Sequence, residues 1–389
     1  MGTGAGREAE VMVSRHAADI VPIASRRTLP MPRPPSSRPL SVAVLGFWHV
    51  HAGDYAHSVL AHPDTVLAAA WDPDPERGRA GADEFGVEFV ADLDALLARD
   101  DIDAVTVTTA TSEHHDVITR AVVAGKHVFT EKLLAPTVAE AEDIVARAQE
   151  RGVSVVVSLP RLSDPTTVAV QSLIETGVLG ELTYCRIRLA HDGWVHDWLP
   201  ERFAERDAAI GGALADLGCH PAYLTQLFLG ARPGTVSATY TSVSGRDVED
   251  NAVVTLGYPG GAIGVIEASF VTTPGAFTLE LRGTEGSVLH GFASDALLAK
   301  GAAFGGEGWR EVPLPAAAPG PFAQWIEHIR AGTVAADNLR AAVELTRLVV
   351  AANEAARTGT RAYRAVDSAA SDDAATASAD SVMPAATAG

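Results

Sequence analysis

The chain has 389 residues, 47% of them apolar and 20% charged, a composition typical of a soluble globular protein. The length favours two domains, and the formal net charge of −19 argues against a general nucleic-acid binder because phosphate would be repelled. Two cysteines cannot form a disulfide framework, which is consistent with a reducing cytosol and predicts a cytoplasmic protein.

The two ends of the chain have compositions that predict disorder. Residues 1–39 are rich in arginine and proline and contain no apolar core for a signal peptide, so an arginine-rich leader and an over-long gene start both remain open. Residues 366–389 consist largely of Ala, Ser, Asp and Thr, which bury too little surface to order the segment. We therefore expect two folded domains, at 40–158 and 159–365.

The first of these domains alternates strand and helix patterns. This alternation predicts a doubly wound parallel sheet of the Rossmann type. A capping box, Thr137 to Glu140, precedes the last of the helices. The predicted strands are 41–45, 66–71, 104–107, 128–130 and 153–157, and the predicted helices are 54–61, 75–85, 113–124 and 138–151.

The second domain reads as α+β, with strands that follow one another and are separated by glycine turns. This order predicts a mostly antiparallel open sheet, whose uncovered face suggests a homo-oligomer, a dimer or tetramer. The apolar run 252–266 is short and broken by glycine and proline, so it does not predict a membrane span. The predicted helices are 212–228, 322–331 and 338–357, and the predicted strands are 235–243, 252–258, 262–270, 278–283 and 286–290.

A glycine follows the first predicted strand at Gly46, where the chain turns into a helix. The start of such a helix is the usual resting place of a dinucleotide pyrophosphate. The full fingerprint has two further glycines, and this chain has Trp48 and His51 in their places. On this segment alone, an ordinary strand–turn–helix is the better interpretation.

A carboxylate, Asp72, ends the second predicted strand. It can bind the hydroxyls of the adenosine ribose and would repel a 2′-phosphate, which favours NAD over NADP. Asp72 could also cap the following helix, and Arg77 could admit NADP.

Lysine is rare in this chain, occurring only at Lys126, Lys132 and Lys300. Lys132 follows Glu131 at the predicted end of a strand, and the carboxyl ends of parallel strands border the ligand crevice. An ammonium group can exchange a proton, whereas a guanidinium cannot. The alternative is an exposed lysine that lies along the surface.

Asp216 and His220 are four residues apart in a predicted helix and therefore share one face. The pair could bind substrate, or it could be a buried histidine hydrogen-bonded to that aspartate. A second group of histidines, which includes His49 and His51, offers two metal ligands. Because no third ligand stands at a recognisable spacing, we predict no metal.

Five motifs follow one another along the chain: VAVLGFWHVHA (42–52), LAAAWDPDPERGRA (67–80), DAVTVTTATSEHHDV (103–117), AGKHVFTEK (124–132) and GGALADLGCH (211–220). In this order they resemble the glucose–fructose oxidoreductase/inositol dehydrogenase (Gfo/Idh/MocA) family over about residues 41–363. The resemblance implies a cytoplasmic oxidoreductase that moves a hydride between NAD, or NADP, and a secondary alcohol of a sugar, inositol or polyol. Two alternatives keep the fold: a transient redox cycle without net NADH, as in glycoside cleavage or epimerisation, and a non-catalytic NAD(H) sensor.

The resemblance also implies roles for individual residues. Lys132 and His220 match the catalytic residues, with Lys132 donating to the substrate oxygen and His220 removing its proton. Asp216 and Arg161 match substrate-binding positions. Tyr223 stands where the family often has aspartate and is expected to bind substrate, by contact with a sugar or as a proton donor, and Leu133 stands where the family usually has proline. Trp194, in an aromatic loop that ends at Trp198, offers a face for a sugar ring. The expected cofactor-binding residues are Gly46, Phe47, Trp48, His49, Asp72, Thr108, Thr109, His114, Glu131 and Lys132.

Overall fold

The computed structural model describes residues 38–292, 294–358 and 361–362. The sequence predictions for residues 1–37 and 363–389 lie outside this part of the chain.

Six parallel strands form the first sheet, which confirms the predicted Rossmann fold. The strands are β1 (Leu40–Leu45), β2 (Thr65–Trp71), β3 (Glu88–Phe89), β4 (Ala104–Val107), β5 (His127–Thr130) and β6 (Val155–Val157). Their order is β3-β2-β1-β4-β5-β6, so the direction of winding reverses between β1 and β4. Ligands of such sheets bind at this reversal, beyond the carboxyl ends of the strands.

The helices of this half are close to those predicted. They are α1 (Ala52–Ala61), α2 (Pro75–Phe85), α3 (Leu93–Leu97), α4 (His114–Val123) and α5 (Val138–Arg151). The capping box is present, because Thr137 accepts from the Glu140 amide and the Glu140 side chain accepts from the Thr137 amide. Helix α3 and strand β3 were not predicted.

The second half begins with α6 (Pro165–Glu175) and a nine-stranded sheet among the described residues. Its strands are β7 (Leu182–Ala190), β8 (Thr235–Thr241), β9 (Asn251–Gly257), β10 (Ile263–Ser269), β11 (Ala276–Gly283), β12 (Gly286–His290), β13 (Leu298–Gly301), β14 (Arg310–Glu311) and β15 (Arg361–Ala362). The order is β14-β13-β12-β11-β7-β10-β9-β8-β15, with β7 parallel to β10 and the other pairs antiparallel. The mostly antiparallel prediction is confirmed, although the central strand β7 was not among the predicted strands.

The helix predicted at 212–228 is not continuous. It starts as a π-helical turn, Leu214–Gly218, and becomes α8 (Cys219–Leu229) only afterwards. The Glu249 carboxylate accepts from the amides of Gly212 and Leu214 at 2.9 and 3.1 Å, which anchors the start of the turn. A π-turn adds a residue to the helical repeat and is frequent at functional sites.

The remaining helices are α7 (Arg206–Ala209), α9 (Pro321–Ala331) and α10 (Ala336–Thr358). Helix α9, although it comes late in the chain, packs on the first sheet through the fully buried Trp325, which lies in one apolar cluster with Phe129 and Val156. The indole nitrogen of Trp325 also donates to the Ser154 carbonyl at 3.3 Å. Both halves of the chain therefore build the core around the first sheet.

Candidate active site

Lys132 lies two residues beyond β5 and is buried, with 4% of its surface exposed, so the alternative of an exposed surface lysine is wrong. Its ammonium donates to Asp216 Oδ1 at 2.8 Å and lies 3.4 Å from Glu131 Oε2 and from His49 Nε2. Burial alone would lower the pKa of Lys132, but the charges of Asp216 and Glu131 outweigh it and raise the pKa above its usual value. The chain thus holds a permanent cation at the carboxyl edge of the sheet.

The two carboxylates beside Lys132 are both ionised. Burial would raise the pKa of Asp216, but Lys132 and His49 lower it below the usual range. Burial likewise opposes ionisation of Glu131, and Lys132, His49 and His51 together hold its pKa well below the usual value. Asp216 therefore serves as the partner of Lys132, 84 residues away in sequence.

The imidazole ring of His220 forms its hydrogen bond with Tyr223 and not with Asp216. Its Nδ1 lies 2.9 Å from the Tyr223 hydroxyl, which also accepts from the Arg161 amide at 3.1 Å. Burial, with Lys132 and Arg161, holds the pKa of His220 well below its usual value, so the imidazole is neutral.

Two cavities, of about 340 and 550 Å³, meet at His51, Lys132, Pro160 and His220. The larger one is also lined by Arg161, Asp164, His191, Trp198 and Asp216. The structure thus brings together Lys132, Asp216, His220 and Arg161, as expected of a substrate site. Tyr223 is buried behind His220 and is not among the lining residues of either cavity.

Trp194 requires a correction, because it does not line these cavities. It packs on Phe270 with a ring-centroid distance of 4.7 Å, and only 5% of its surface is exposed. Trp198, at the other end of the same loop, is 51% exposed and lines the larger cavity. Its indole nitrogen donates to Asp192 at 3.1 Å and its ring lies 4.6 Å from that of His191, which orients the exposed face.

The turn after β1 is built around Gly46, whose φ is +92°. A Cβ at this position would lie 2.6 Å from the Thr109 amide nitrogen, so only glycine lets the turn approach the loop after β4. That loop is held in place by Thr108, whose hydroxyl donates to the Gly46 carbonyl at 2.5 Å. Thr109 Oγ1 is buried and has no hydrogen-bond partner among the described residues.

Asp72 directly follows β2 and does not cap α2, because the cap is Asp74. Its carboxylate accepts from the Phe47 amide at 2.6 Å and from Arg77 at 2.7 and 2.9 Å, and its side chain is fully buried. Asp72 therefore links the glycine turn to Arg77. Because Arg77 donates to both oxygens of this carboxylate, a ribose could bind to it only after the Arg77 side chain moves away.

Other cofactor candidates surround this turn. Trp48 is buried, stacks on Phe203 at 4.9 Å, and its carbonyl accepts from Arg202 at 2.5 Å. His114 is buried, so it is not a surface histidine; its Nδ1 lies 2.7 Å from the Leu133 carbonyl, and burial lowers its pKa to about 4.

Taken together, a glycine cradle, a carboxylate at the end of β2 and an unpartnered threonine hydroxyl fit a nicotinamide dinucleotide.

A metal ion fits the same neighbourhood less well. Donor atoms of His49, His51 and Glu131 lie within 4.8 Å of one another, and Glu131 was not recognisable as a third ligand because it is 80 residues from His51. However, the Lys132 ammonium is 3.4 Å from both His49 Nε2 and Glu131 Oε2. A cation bound there would be repelled at short range.

A Rossmann sheet with a buried lysine–carboxylate pair at its carboxyl edge defines a nicotinamide-dependent oxidoreductase. Residues 40–159 match the oxidoreductase family with an NAD-binding Rossmann fold, and residues 167–289 match the GFO/IDH/MocA C-terminal domain. The chain belongs to the Gfo/Idh/MocA family, as the resemblance indicated, and NAD is its cofactor.

Individual relatives agree with this assignment. The chain is 33% identical to a dTDP-3,4-didehydro-2,6-dideoxy-alpha-D-glucose 3-reductase of Actinomadura kijaniata over 219 residues, 56% of this chain and 64% of that relative. It is 29% identical to the scyllo-inositol 2-dehydrogenase (NAD(+)) of Bacillus subtilis over 261 residues, 65% of this chain and 72% of that enzyme. The structure of GenD2 from gentamicin A biosynthesis in complex with NAD superposes with a TM-score of 0.72 at 25% identity, over 89% of this chain and 100% of GenD2.

Within the described part of the chain, every helix is too short or too polar to span a lipid bilayer.

Proposed function

We propose that this chain moves a hydride between NAD and a ring carbon that carries a secondary alcohol, or the corresponding ketone, in a sugar, inositol or similar polyol. The observation that carries the proposal is the position of Lys132, a buried ammonium at the point where the two cavities meet. Related enzymes named for a deoxysugar and for an inositol support the substrate class.

The residues where the two cavities meet have different roles in the proposed reaction, and their charges determine these roles. Lys132 donates a hydrogen bond to the substrate oxygen and stabilises the negative charge that develops on it, while Asp216 keeps the ammonium in place. His220, whose Nδ1 lies beside the Tyr223 hydroxyl, removes the proton of the substrate hydroxyl, as the resemblance implies. Bound NAD supplies the hydride acceptor in one direction and the donor in the other.

The substrate is recognised along the larger cavity. The exposed face of Trp198 offers a platform for the C–H side of a ring, and Arg161 and Asp164 offer polar contacts to ring hydroxyls. Arg161 is itself fixed, because its guanidinium stacks over Phe277 at 4.0 Å. A polar rim around one aromatic face suits a hydroxylated ring better than an apolar ligand.

The test is the absorbance of reduced nicotinamide when purified protein is mixed with NAD+ and a panel of inositols, aldoses and anhydro-sugars, with NADP+ in parallel. We expect substrate-dependent NADH formation that is lost in Lys132→Ala. Binding of NADH without any turnover on this panel would contradict the proposal and favour the redox-neutral or sensor alternatives. Glycosides would then be assayed for cleavage without net NADH.

We also propose a cytoplasmic homo-oligomer. Cys185 and Cys219 are free and buried, which suits a reducing compartment. The face of the nine-stranded sheet that carries Val253 and Ile263 leaves these side chains 40% and 45% exposed, and a second copy would cover them. Light scattering during gel filtration of the wild type tests the assembly, and a monomeric mass would contradict it.

A further inference from the structure

We propose that His191 is a specificity-determining residue, which donates a hydrogen bond from Nε2–H to one hydroxyl of the substrate ring other than the reacting one. The proposal rests on the proposed function and specifies its substrate: a ring with a hydroxyl at the position facing His191 and a C–H face against Trp198. His191 directly follows β7, the central strand of the second sheet, and lines the larger cavity.

The first argument is the position of the His191 ring proton. The Gly193 amide donates to His191 Nδ1 at 3.1 Å, and a backbone amide can only donate. Nδ1 therefore carries a lone pair, and a neutral ring has its proton on Nε2. Burial lowers the pKa of His191 below its usual value although the charge of Asp216 opposes it, so the ring is neutral at neutral pH. His191 thus presents a donor at Nε2.

The second argument is the rigidity of this ring. It stacks on Phe270 with a centroid distance of 5.1 Å and an angle of 12°, and it packs on Trp198 at 4.6 Å. The backbone is also fixed, because the His191 amide donates to the Ser269 carbonyl at 2.9 Å and its carbonyl accepts from the Thr272 amide at 3.0 Å. A donor held from so many sides can select between positions on a ligand.

The loop that follows His191 is built around Gly193. A Cβ at this position would lie 2.9 Å from His191 Cε1 and 2.7 Å from Leu199 Cβ, so a side chain there would displace the imidazole. The Gly193 carbonyl accepts from the amides of Trp198 and Leu199 at 3.0 and 3.1 Å, which closes the loop. One glycine therefore positions both the donor of His191 and the aromatic face of Trp198.

The third argument is that this donor has a free direction toward the substrate. Within the part of the chain that the structure describes, His191 Nε2 forms no hydrogen bond, and the residue lines the cavity of about 550 Å³ together with Lys132 and Asp216. Asp216 is close enough for its charge to act on the pKa of His191. A ring whose reacting oxygen is bound to Lys132 can therefore place a second oxygen at His191.

The remaining walls make this donor selective. Leu189, Leu199 and Leu217 line the same cavity and form no hydrogen bonds through their side chains. A site built to hydrogen-bond a substrate hydroxyl rejects an analogue that lacks it, because the polar group of the protein is then left unpaired. We therefore expect discrimination at the ring position that faces His191.

The test uses the most active polyol of the NAD+ panel and its monodeoxy derivatives, each lacking one non-reacting hydroxyl. His191→Phe keeps a ring between Phe270 and Trp198 but has no Nε2–H. The matched control is His196→Phe on the same loop, since the His196 side chain is 59% exposed, lies 3.7 Å from Asp192 and does not line the cavity.

In the wild type and in His196→Phe, we expect one derivative to have a kcat/KM lower than that of the parent polyol by about tenfold. In His191→Phe the parent and this derivative should react about equally, while the losses at the other positions stay as in the wild type. His191→Gln, which retains a side-chain N–H donor, should recover part of the preference. NADH affinity, measured by fluorescence, should stay within about threefold in all variants.

An active wild type whose preference for each hydroxyl survives in His191→Phe would overturn the role of His191 and leave the proposed function intact. An equal loss of kcat/KM for the parent and every derivative would also overturn it, because a merely structural residue affects all substrates alike. A wild type that forms no NADH with any polyol would overturn the proposed function, and this inference with it.

Discussion

Replacing Lys132 with alanine removes the cation shared by Glu131, which is buried, and Asp216, which is partly buried. The Lys132 ammonium is 2.8 Å from Asp216 and 3.4 Å from Glu131, and both carboxylates remain ionised in the folded chain because of it. Deleting one partner of a buried ion pair costs about 3–5 kcal/mol, since the other charge is left uncompensated. This is a large share of the roughly 5–15 kcal/mol by which domains are usually stable.

The size of the effect is measurable by urea unfolding in a double-mutant cycle. We expect Lys132→Ala to destabilise strongly, and Lys132→Ala/Asp216→Ala to be less destabilised than the sum of the single variants by at least about 1 kcal/mol. Lys126→Ala is the control: Lys126 is also buried, but its ammonium donates to the carbonyls of Arg99 and Ile102 at 2.7 and 2.8 Å. Its effect should add to that of Asp216→Ala within about 0.5 kcal/mol.

Activity tests the same pair independently. Loss of one hydrogen-bond donor to a developing oxyanion typically lowers kcat by about 10²–10³-fold, and we expect a loss of this size in Lys132→Ala. NADH binding measured by fluorescence shows whether this variant is still folded. Additive stability effects of Lys132→Ala and Asp216→Ala, or near-normal turnover by folded Lys132→Ala, would refute the assignment of Lys132 as the charge centre of the site.

Three further outcomes follow from the cofactor side. Gly46→Ala should abolish NADH binding in fluorescence titration, because the added Cβ has no room. The control is Gly86→Ala, which is also at positive φ but in open space; it should lower the free energy of unfolding by only about 1 kcal/mol and bind NADH normally. Asp72→Asn should weaken NADH binding by about tenfold or more and reduce the preference over NADPH, whereas Asp74→Asn should only loosen the start of α2. Burial lowers the folded-state pKa of His114 to about 4, so the unfolded chain takes up the proton first as pH falls. This group alone should cost the wild type about 1.6 kcal/mol in urea unfolding between pH 6.5 and pH 5, so a His114→Gln variant should lose about that much less than the wild type.

The fold was predictable wherever one local pattern decided the outcome. The helices α2 and α5 begin and end at the predicted residues, since Pro75 and the Thr137 capping box set their starts and Gly86 and Gly152, both at positive φ, follow their ends. Strand β7 was overlooked although the alternation of Cys185 and Ile187 with arginines was readable. Its place at the centre of the sheet depends on pairing with β10 and β11, which are far away in sequence.

The site was predictable in its members but not in their pairing. Lys132, Asp216 and His220 do converge, yet helical spacing placed Asp216 with His220, whereas a π-turn and a distant lysine place Asp216 with Lys132. Likewise an aromatic loop indicates a ring-binding surface, but only packing against Phe270 decides that Trp194 is buried and Trp198 is not. Sequence spacing predicts which residues share one face of a helix, but tertiary contacts determine which of them form pairs.

The charges near Lys132 also predict which form of the cofactor binds better. Glu131 and Asp216 are negative, Lys132 is positive, and burial keeps His49 and His220 neutral, so at a pH at which His51 is also neutral the group carries one net negative charge. Such a site favours the positively charged ring of NAD+ over neutral NADH. Asp216→Asn removes the excess charge, so it should weaken NAD+ binding more than NADH binding in calorimetric titrations at about pH 9, where His51 is neutral. Equal weakening of both would mean that the site responds to the shape of the nicotinamide and not to its charge.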